Sequence, residues 1–260
     1  MDPNKQVVAA GVLAQAKACA RPVPRLTSQF ASLDIWDSYM IQGHNIDQRV
    51  RSGAVVRGHK ADFHPNPLQC LENHDEPSYG HLLSDMFVSE DSSIRVDSLC
   101  APRVQVQVAF VLGQSLPGPG CTVADVLRCT EYVCPALEVI DSRIENWDGT
   151  VVDTVADNAS SGLVVLGGQR ASLEGLNLRT IGATLRRNYQ LIATGASGAV
   201  LGNPATSVAW LANKIGAFGV RLEAGHIILP GPCTRAFDVK AGQIVRADLD
   251  QLGSVSAVFT

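Results

Sequence analysis

From Arg103 to Gly113 the chain reads Arg-Val-Gln-Val-Gln-Val-Ala-Phe-Val-Leu-Gly, alternating apolar and polar positions before an apolar run and a closing glycine. That is the period of a β-strand entering a core. Period two sets Gln105 and Gln107 side by side on one face. A solvated strand more often carries Thr, Lys or Glu at such positions, and a fully buried one is apolar throughout. The pair is therefore either a solvated outer face or the lining of a cavity.

The remaining pattern predicts an α+β chain. Residues 5–20 are Ala-rich with Val7, Val8, Val12 and Leu13, a helix closed by Arg21-Pro22-Val23-Pro24. Ser32 is the expected N-cap of a second helix running to Gly53, with Ile35, Tyr39, Ile46 and Val50 as its apolar stripe. A strand over 54–60 leads into a proline-rich loop over 61–79. Beyond the glutamine strand, Thr122-x-x-Asp125 predicts a capping box opening a helix to Cys134, which Pro135 ends. A short strand over 136–141 carries Glu138 between Leu137 and Val139, either facing solvent or functional. A helical turn at 154–158, a buried strand at 163–166 and a hairpin turning near Asn188 follow. Asn203-Pro204 starts a helix to Ile215, and strands near 226–230, 243–249 and 254–259 complete the tail. Helices come first and strands afterwards, without regular βαβ alternation, which disfavours a Rossmann or barrel fold.

Composition narrows the function. The 260 residues are 46% hydrophobic and 18% charged, ordinary for a globular enzyme. The net charge is −4 with no basic run, so nucleic acid is not an expected partner. Gly, Pro or charge breaks every long apolar run, so no membrane span is expected. The N-terminus lacks the order of a signal peptide, so the cytoplasm is the expected location. Seven cysteines without a CxxC pair argue against a zinc cluster or a disulfide framework. Only Cys233, in the Pro230-Gly231-Pro232-Cys233-Thr234-Arg235 loop, stands out.

Several stretches carry a resemblance. They are Glu76-Pro77-Ser78-Tyr79-Gly80, Pro135-Ala136-Leu137-Glu138-Val139-Ile140-Asp141-Ser142-Arg143-Ile144, Val152-Asp153-Thr154-Val155-Ala156-Asp157-Asn158-Ala159-Ser160, Gly225-His226-Ile227-Ile228-Leu229 and Leu252-Gly253-Ser254-Val255. In these, and along nearly its whole length, the chain resembles the hydratase/decarboxylase branch of the fumarylacetoacetate hydrolase superfamily, typified by 2-keto-4-pentenoate hydratase and 4-oxalocrotonate decarboxylase. The resemblance implies a mixed β-sheet core of sandwich or roll type. It divides the chain into an N-terminal helical segment with the first strand (1–75) and a catalytic core (76–260). It also implies a homo-oligomer acting on a small molecule, with a divalent metal, usually Mg²⁺, chelating a 2-oxo acid and stabilising its enolate.

The family's metal ligands are a Glu-x-Glu pair on a strand and a third Glu further on. Here the pair falls on Gln105 and Gln107, and the third on Glu138. The family's Lys-(Val/Ile)-Gly-Leu-Thr stretch becomes Lys60-Ala61-Asp62-Phe63-His64, its acidic position after Pro77 becomes Ser78, and the Asp of Gly-Asp-Ile-Ile-Leu becomes His226. Changes therefore gather on the expected cavity wall while the scaffold motifs persist. The two amides take the formal ligand charge from −3 to −1, a poor set for Mg²⁺. Glutamine supplies N–H donors instead, suited to a carbonyl or enolate oxygen.

Three readings follow. One is a metal-independent enzyme performing dehydration, cyclisation, tautomerisation or decarboxylation on an enolisable oxo or polyene substrate. The second is a Mg²⁺ hydratase whose glutamates have been substituted. The third is a silent member acting as a partner subunit. The first is preferred, because Lys60, Glu138, Asp153 and Asn158 persist. Its expected catalytic residues are Lys60, Gln105, Gln107, Glu138 and His64, with no metal ligand and no cofactor. Its expected substrate-binding residues are His59, Ser78, Arg143, Asp153, Asn158, Ser160 and Cys233. Lys60 has an alternative structural role, paired with Glu138 or Asp153. The histidines at 59, 64, 81 and 226 form either an acid–base or metal cluster or scattered surface positions. Arg143 has an alternative surface pairing with Asp141 or Glu145.

Overall fold

The computed structural model describes residues 1–62, 77–90 and 92–260. His64 and most of the loop expected over 61–79 lie outside the described residues, although Asp62, Ser78 and Tyr79 at its edges are in strands.

Helix α1 (Pro3–Ala18), the single turn α2 (Leu26–Gln29) and α3 (Ile35–Arg51) open the chain. Asp34, not Ser32, caps α3 in a reciprocal box with Asp37. Aspartate caps as well as serine, and Asp34 stands immediately before the first apolar position, Ile35. Asp37 also accepts from the Met1 ammonium and from Gln6 Nε2, tying the start of α1 to the start of α3.

Two sheets build the rest. The larger runs, in spatial order, β2 (Ser78–Leu83), β1 (Val56–Asp62), β10 (Ile227–Leu229), β5 (Pro102–Leu112), β6 (Thr130–Asp141), β7 (Ser161–Leu166) and β3 (Phe87–Val88), with β11 (Phe237–Asp238) also on β5. The smaller runs β4 (Ser93–Ile94), β13 (Gly253–Phe259), β12 (Gln243–Leu249), β8 (Gly182–Arg187) and β9 (Gln190–Ala196). Helix α4 (Val123–Cys129) lies between β5 and β6, α5 (Val151–Ala156) between β6 and β7, and α6 (Pro204–Gly216) leads from β9 of the smaller sheet to β10 of the larger.

The helix expected to reach Cys134 stops at Cys129, and residues 130–134 belong to β6. Thr130, Tyr132 and Val133 are strand formers, and β5 is long enough to pair with β6 back to Thr130. Pro135 sits inside that strand opposite Val108, just beyond the end of β7 pairing, where it forfeits no bond to β7.

The two faces of β5 have different fates. Val104, Val106, Val108 and Phe110 join the main core with Val208, Leu211 and Ile215 of α6 and Val245 of β12. Each buried apolar side chain contributes roughly 1.5–3 kcal/mol, which holds the glutamine face in one register. That face, with Gln105 5% and Gln107 0% exposed, is no solvated surface. No helix among the described residues is long and apolar enough to cross a membrane.

Candidate active site

Register brings the site together. Gln105 stands opposite Glu138 and Gln107 opposite Ala136, so both amides flank one carboxylate across the β5–β6 ladder. Glu138 Oε2 accepts from Gln105 Nε2 at 2.7 Å and from Gln107 Nε2. Glu138 Oε1 meets Lys60 Nζ at 2.5 Å, an ion-pair contact off the angle of a hydrogen bond. Lys60 arrives on β1 fully buried and also donates to Ala159 O at 2.9 Å. Gln107 Oε1 accepts from Gly231 N at 2.8 Å, which orients its amide with the nitrogen towards Glu138.

Ala159 reaches Lys60 because Asn158, Ala159 and Ser160 all adopt left-handed backbone, with φ of 53°, 51° and 50°. Asn158 clamps this turn to β2, accepting from His81 N at 2.7 Å and donating to His81 O at 2.9 Å. Gly80, cross-strand from Lys60, leaves the necessary room: a Cβ there would stand 2.5 Å from Asn158 O.

A cavity of about 850 Å³ opens over this floor. Gln105, Asp62, Ser160 and Cys233 line it, as do Trp147, Thr194 and two arginines. Arg103 stacks on Trp147 at 4.5 Å and pairs with Asp238 at 2.8 Å, while Arg235 stacks on Phe237 at 4.7 Å. Asp62 lies 4.0 Å from Lys60 Nζ, joining the buried ion pair to the cavity. Burial pushes the Cys233 thiol up to about 12, so it is a neutral wall group and not a thiolate nucleophile.

Lys60, Gln105, Gln107 and Glu138 thus converge, and Ser160 and Cys233 line the cavity above them. Ser78 is the cross-strand partner of Asp62 but is not itself in the cavity wall. Four expected binding residues lie elsewhere. His59 alternates with Lys60 along β1 and faces the opposite side of the sheet, against His81 at 4.8 Å and His226 at 5.8 Å between ring centres. These histidines are neither scattered on the surface nor part of the cavity. Arg143 is buried, its guanidinium spent on the Asp157 carboxylate, Asp157 O, Asp141 O and Ser161 O. Asp153 caps α5 through Thr150 and accepts from Thr27 N and Oγ1, both at 2.9 Å. The Asn158 amide is committed to His81. These three hold the scaffold.

Asp62, Arg103, Trp147, Thr194 and Arg235 carried no signal in the reading of motifs. The glycine-to-aspartate change at 62 within the lysine stretch was the one available clue.

The donor set can be tested against a divalent metal. A hard cation such as Mg²⁺ needs several anionic or carbonyl oxygens with free lone pairs. Of the three expected ligand positions only Glu138 is a carboxylate; one of its oxygens faces two N–H donors and the other an ammonium, so the Glu138–Lys60 pair is neutral and already contains its cation. Gln107 Oε1 is taken by Gly231 N. These residues, as arranged, do not fit the metal. Among the described residues no group of three or more His, Cys, Asp and Glu side chains is placed to hold one.

No protein-family model matches the chain. It is 38% identical to the 2-oxo-hept-4-ene-1,7-dioate hydratase of Escherichia coli, over 99% of either chain. The chain belongs to the hydratase/decarboxylase family. The 4-oxalocrotonate decarboxylase of Pseudomonas putida G7, solved with magnesium and adipate, superposes with a TM-score of 0.95 at 32% identity, covering 100% of this chain and 99% of that one. A fumarylacetoacetate hydrolase family protein from Yersinia pestis, at 12% identity and a TM-score of 0.58 over 79% of this chain and 94% of its own, shares the fold alone. The protein is accordingly a lyase-type enzyme of this family on a fumarylacetoacetate hydrolase-like scaffold.

Proposed function

We propose that this family member performs acid–base lyase or isomerase chemistry on a small enolisable 2-oxo or polyene carboxylate without a divalent metal. The observation that carries the reading is the engagement of both Glu138 oxygens, Oε2 by two glutamine amides and Oε1 by ion pairing with the Lys60 ammonium. In that arrangement the positive charge that stabilises an enolate is the buried Lys60 ammonium, and its field is strong because water is excluded.

Gln105 spends one N–H on Glu138 and lies in the cavity wall, so its second N–H is the donor for a substrate carbonyl oxygen. Arg103 and Arg235 hold the substrate carboxylate, with Trp147 against its unsaturated chain. Asp62 takes the proton from the carbon next to the carbonyl as negative charge moves onto the oxygen held by Gln105. It then returns that proton to a distal carbon, giving tautomerisation, or to a leaving hydroxyl, giving dehydration. The proton count closes within the site. The Lys60 ammonium faces the Asp62 carboxylate at 4.0 Å before the step.

The second reading, Mg²⁺-dependent hydration, has a specific observation in its favour: the decarboxylase that superposes at 0.95 was solved with magnesium. Here Glu138 would be the only carboxylate of the three expected ligands.

Both are tested by following 2-hydroxypentadienoate and 2-oxo-heptenedioate, by absorbance and proton NMR, with the protein in EDTA and in millimolar Mg²⁺. The proposal expects conversion, or deuterium exchange at the carbon next to the carbonyl, at equal rates in both. Turnover seen only with Mg²⁺, with one equivalent retained after dialysis, would overturn it in favour of the second reading.

A further inference from the structure

The described residues enclose a second cavity, of about 410 Å³, and the turn beside Lys60 stands between the two. Asp157, Asn158 and Ser161 line this cavity, while Ala159 and Ser160 line the catalytic one. Helices α1 and α3, tied at their N-terminal ends by Asp37, form its walls with their C-terminal halves. Leu13 and Lys17 follow at i and i+4 on α1, and Asn45 and Arg49 do the same on α3, so each helix presents one continuous stripe.

The lining divides by chemistry. Leu13, Ile46, Met86 and Ala156 are buried and apolar. The charges at the floor and one at the side are already matched: Arg143 with Asp157, and Arg49 with Asp85 through contacts of 2.5 and 2.6 Å. The Lys17 side-chain amine forms no hydrogen bond or ion pair with any described residue, and it is the unmatched charge of the lining. Packing around its amine, then the Arg49 and Arg143 charges, holds Lys17 down to about 8, although the residue keeps enough solvent contact for a ligand to reach it. A carboxylate beside it would relieve that repulsion. A cation would meet like charges.

We propose that this cavity binds small monocarboxylates with a short apolar tail, the carboxylate on Lys17 and the tail between Leu13, Ile46 and Met86. Its volume is within the range of small-molecule sites. Because Asp157 and Asn158 form its floor, an occupant bears on the turn that supplies Lys60 with its carbonyl acceptor. The site is therefore an effector site, coupled to Lys60 through residues 157–161. Binding itself does not depend on the chemistry proposed for the catalytic cavity.

The test uses the full chain with hexanoate as probe, followed by amide NMR shifts and hydrogen exchange. Saturable shifts at Leu13, Lys17 and Ile46 are expected, weakened tenfold or more by Lys17→Glu and abolished by Ala14→Trp, which fills the cavity. Hexylamine should leave these amides unmoved, and the amides of 159–161 should exchange more slowly when hexanoate is bound. The Arg103→Ala/Arg235→Ala variant should bind hexanoate at these amides as the parent does. Shifts confined to the surroundings of Gln105 and Thr194, or affinity unchanged by Lys17→Glu, would overturn the site. So would a fall in the protein's native mass with Ala14→Trp and no hexanoate binding, since the cavity would then be a contact between copies. Binding without any change in exchange at 159–161 would overturn the coupling.

Discussion

Gln105, Gln107, Glu138 and Lys60 behave as one electrostatic unit, so substitutions among them are not additive. Gln105→Glu removes an N–H donor and sets a second carboxylate against Glu138. Losing one oxyanion donor costs about 10²–10³ in rate, and that loss is the expected fall in metal-free turnover. Gln105→Glu/Gln107→Glu should in addition bind Mg²⁺ measurably by calorimetry, because it restores the oxygens that the amides lack. If that variant instead keeps the parent's metal-free rate, the amides are not functional donors. Lys60→Met leaves Glu138 charged and buried without its counterion, a loss of about 3–5 kcal/mol, whereas Lys60→Arg retains the pair. Adding Glu138→Gln to Lys60→Met should recover much of that stability but none of the activity. Denaturant unfolding of the parent, Lys60→Met, Lys60→Arg, Glu138→Gln and the double variant reads the first outcome and a turnover assay the second. An additive double variant would mean that the pair does not interact as drawn.

At the scale of elements, the turn at 158–160 matters more than its length suggests. Three successive left-handed residues are held by the Asn158 clamp on β2, the Ser161 hydroxyl donating to Asn158 O, Ser160 N donating to Asp157 O, and the Ala159–Lys60 contact. Asn158→Ala forfeits two hydrogen bonds of about 1 kcal/mol each and places alanine where asparagine tolerates positive φ better. The expected result is a loss of about 2–3 kcal/mol and a fall in turnover with little change in KM, since the cavity-lining side chains remain. Asn158→Asp keeps the acceptor for His81 N and should lie between the two. A rise in KM alone would place Asn158 against the substrate and contradict the assignment.

The whole molecule carries a pH liability on the face away from the cavity. His59 is buried with neither ring nitrogen hydrogen-bonded to a described residue, and burial, then the His81 and His226 charges, lowers it well below 6.5. Burial likewise lowers His81 to about 4. Both histidines are held neutral in the fold and take up protons more readily when unfolded. Stability is therefore fully present above about 6.5 and is lost as pH falls from there towards about 4. Urea midpoints should be level from pH 8 to 7 and decline steadily from pH 6.5 to 4. His59→Phe should flatten part of that decline; an identical slope in the variant would exclude His59 as a contributor.

Local pattern was enough for much of the scaffold. The alternation at 103–113 appears as β5, the Asn203-Pro204 start as the cap of α6, the Thr122–Asp125 box as the cap of α4, and the turn near Asn188 as the β8–β9 connection. Each depends on neighbours a few residues apart, where periodicity and capping act. The family resemblance added which polar residues to watch, and Lys60, Gln105, Gln107 and Glu138 do meet. What the chain could not disclose locally depended on contacts between distant segments. β6 extended through Pro135 because β5 offered a partner, and the packing on either side of β1 sent His59 to one face and Lys60 to the other. Arg143 and Asp153, polar residues in the family's motifs, proved to be buried struts because Asp157 and Thr27 were brought beside them. Asp62, Arg103 and Arg235 became cavity residues only once strands far apart in sequence lay side by side, since a side chain's role is set by what surrounds it in three dimensions.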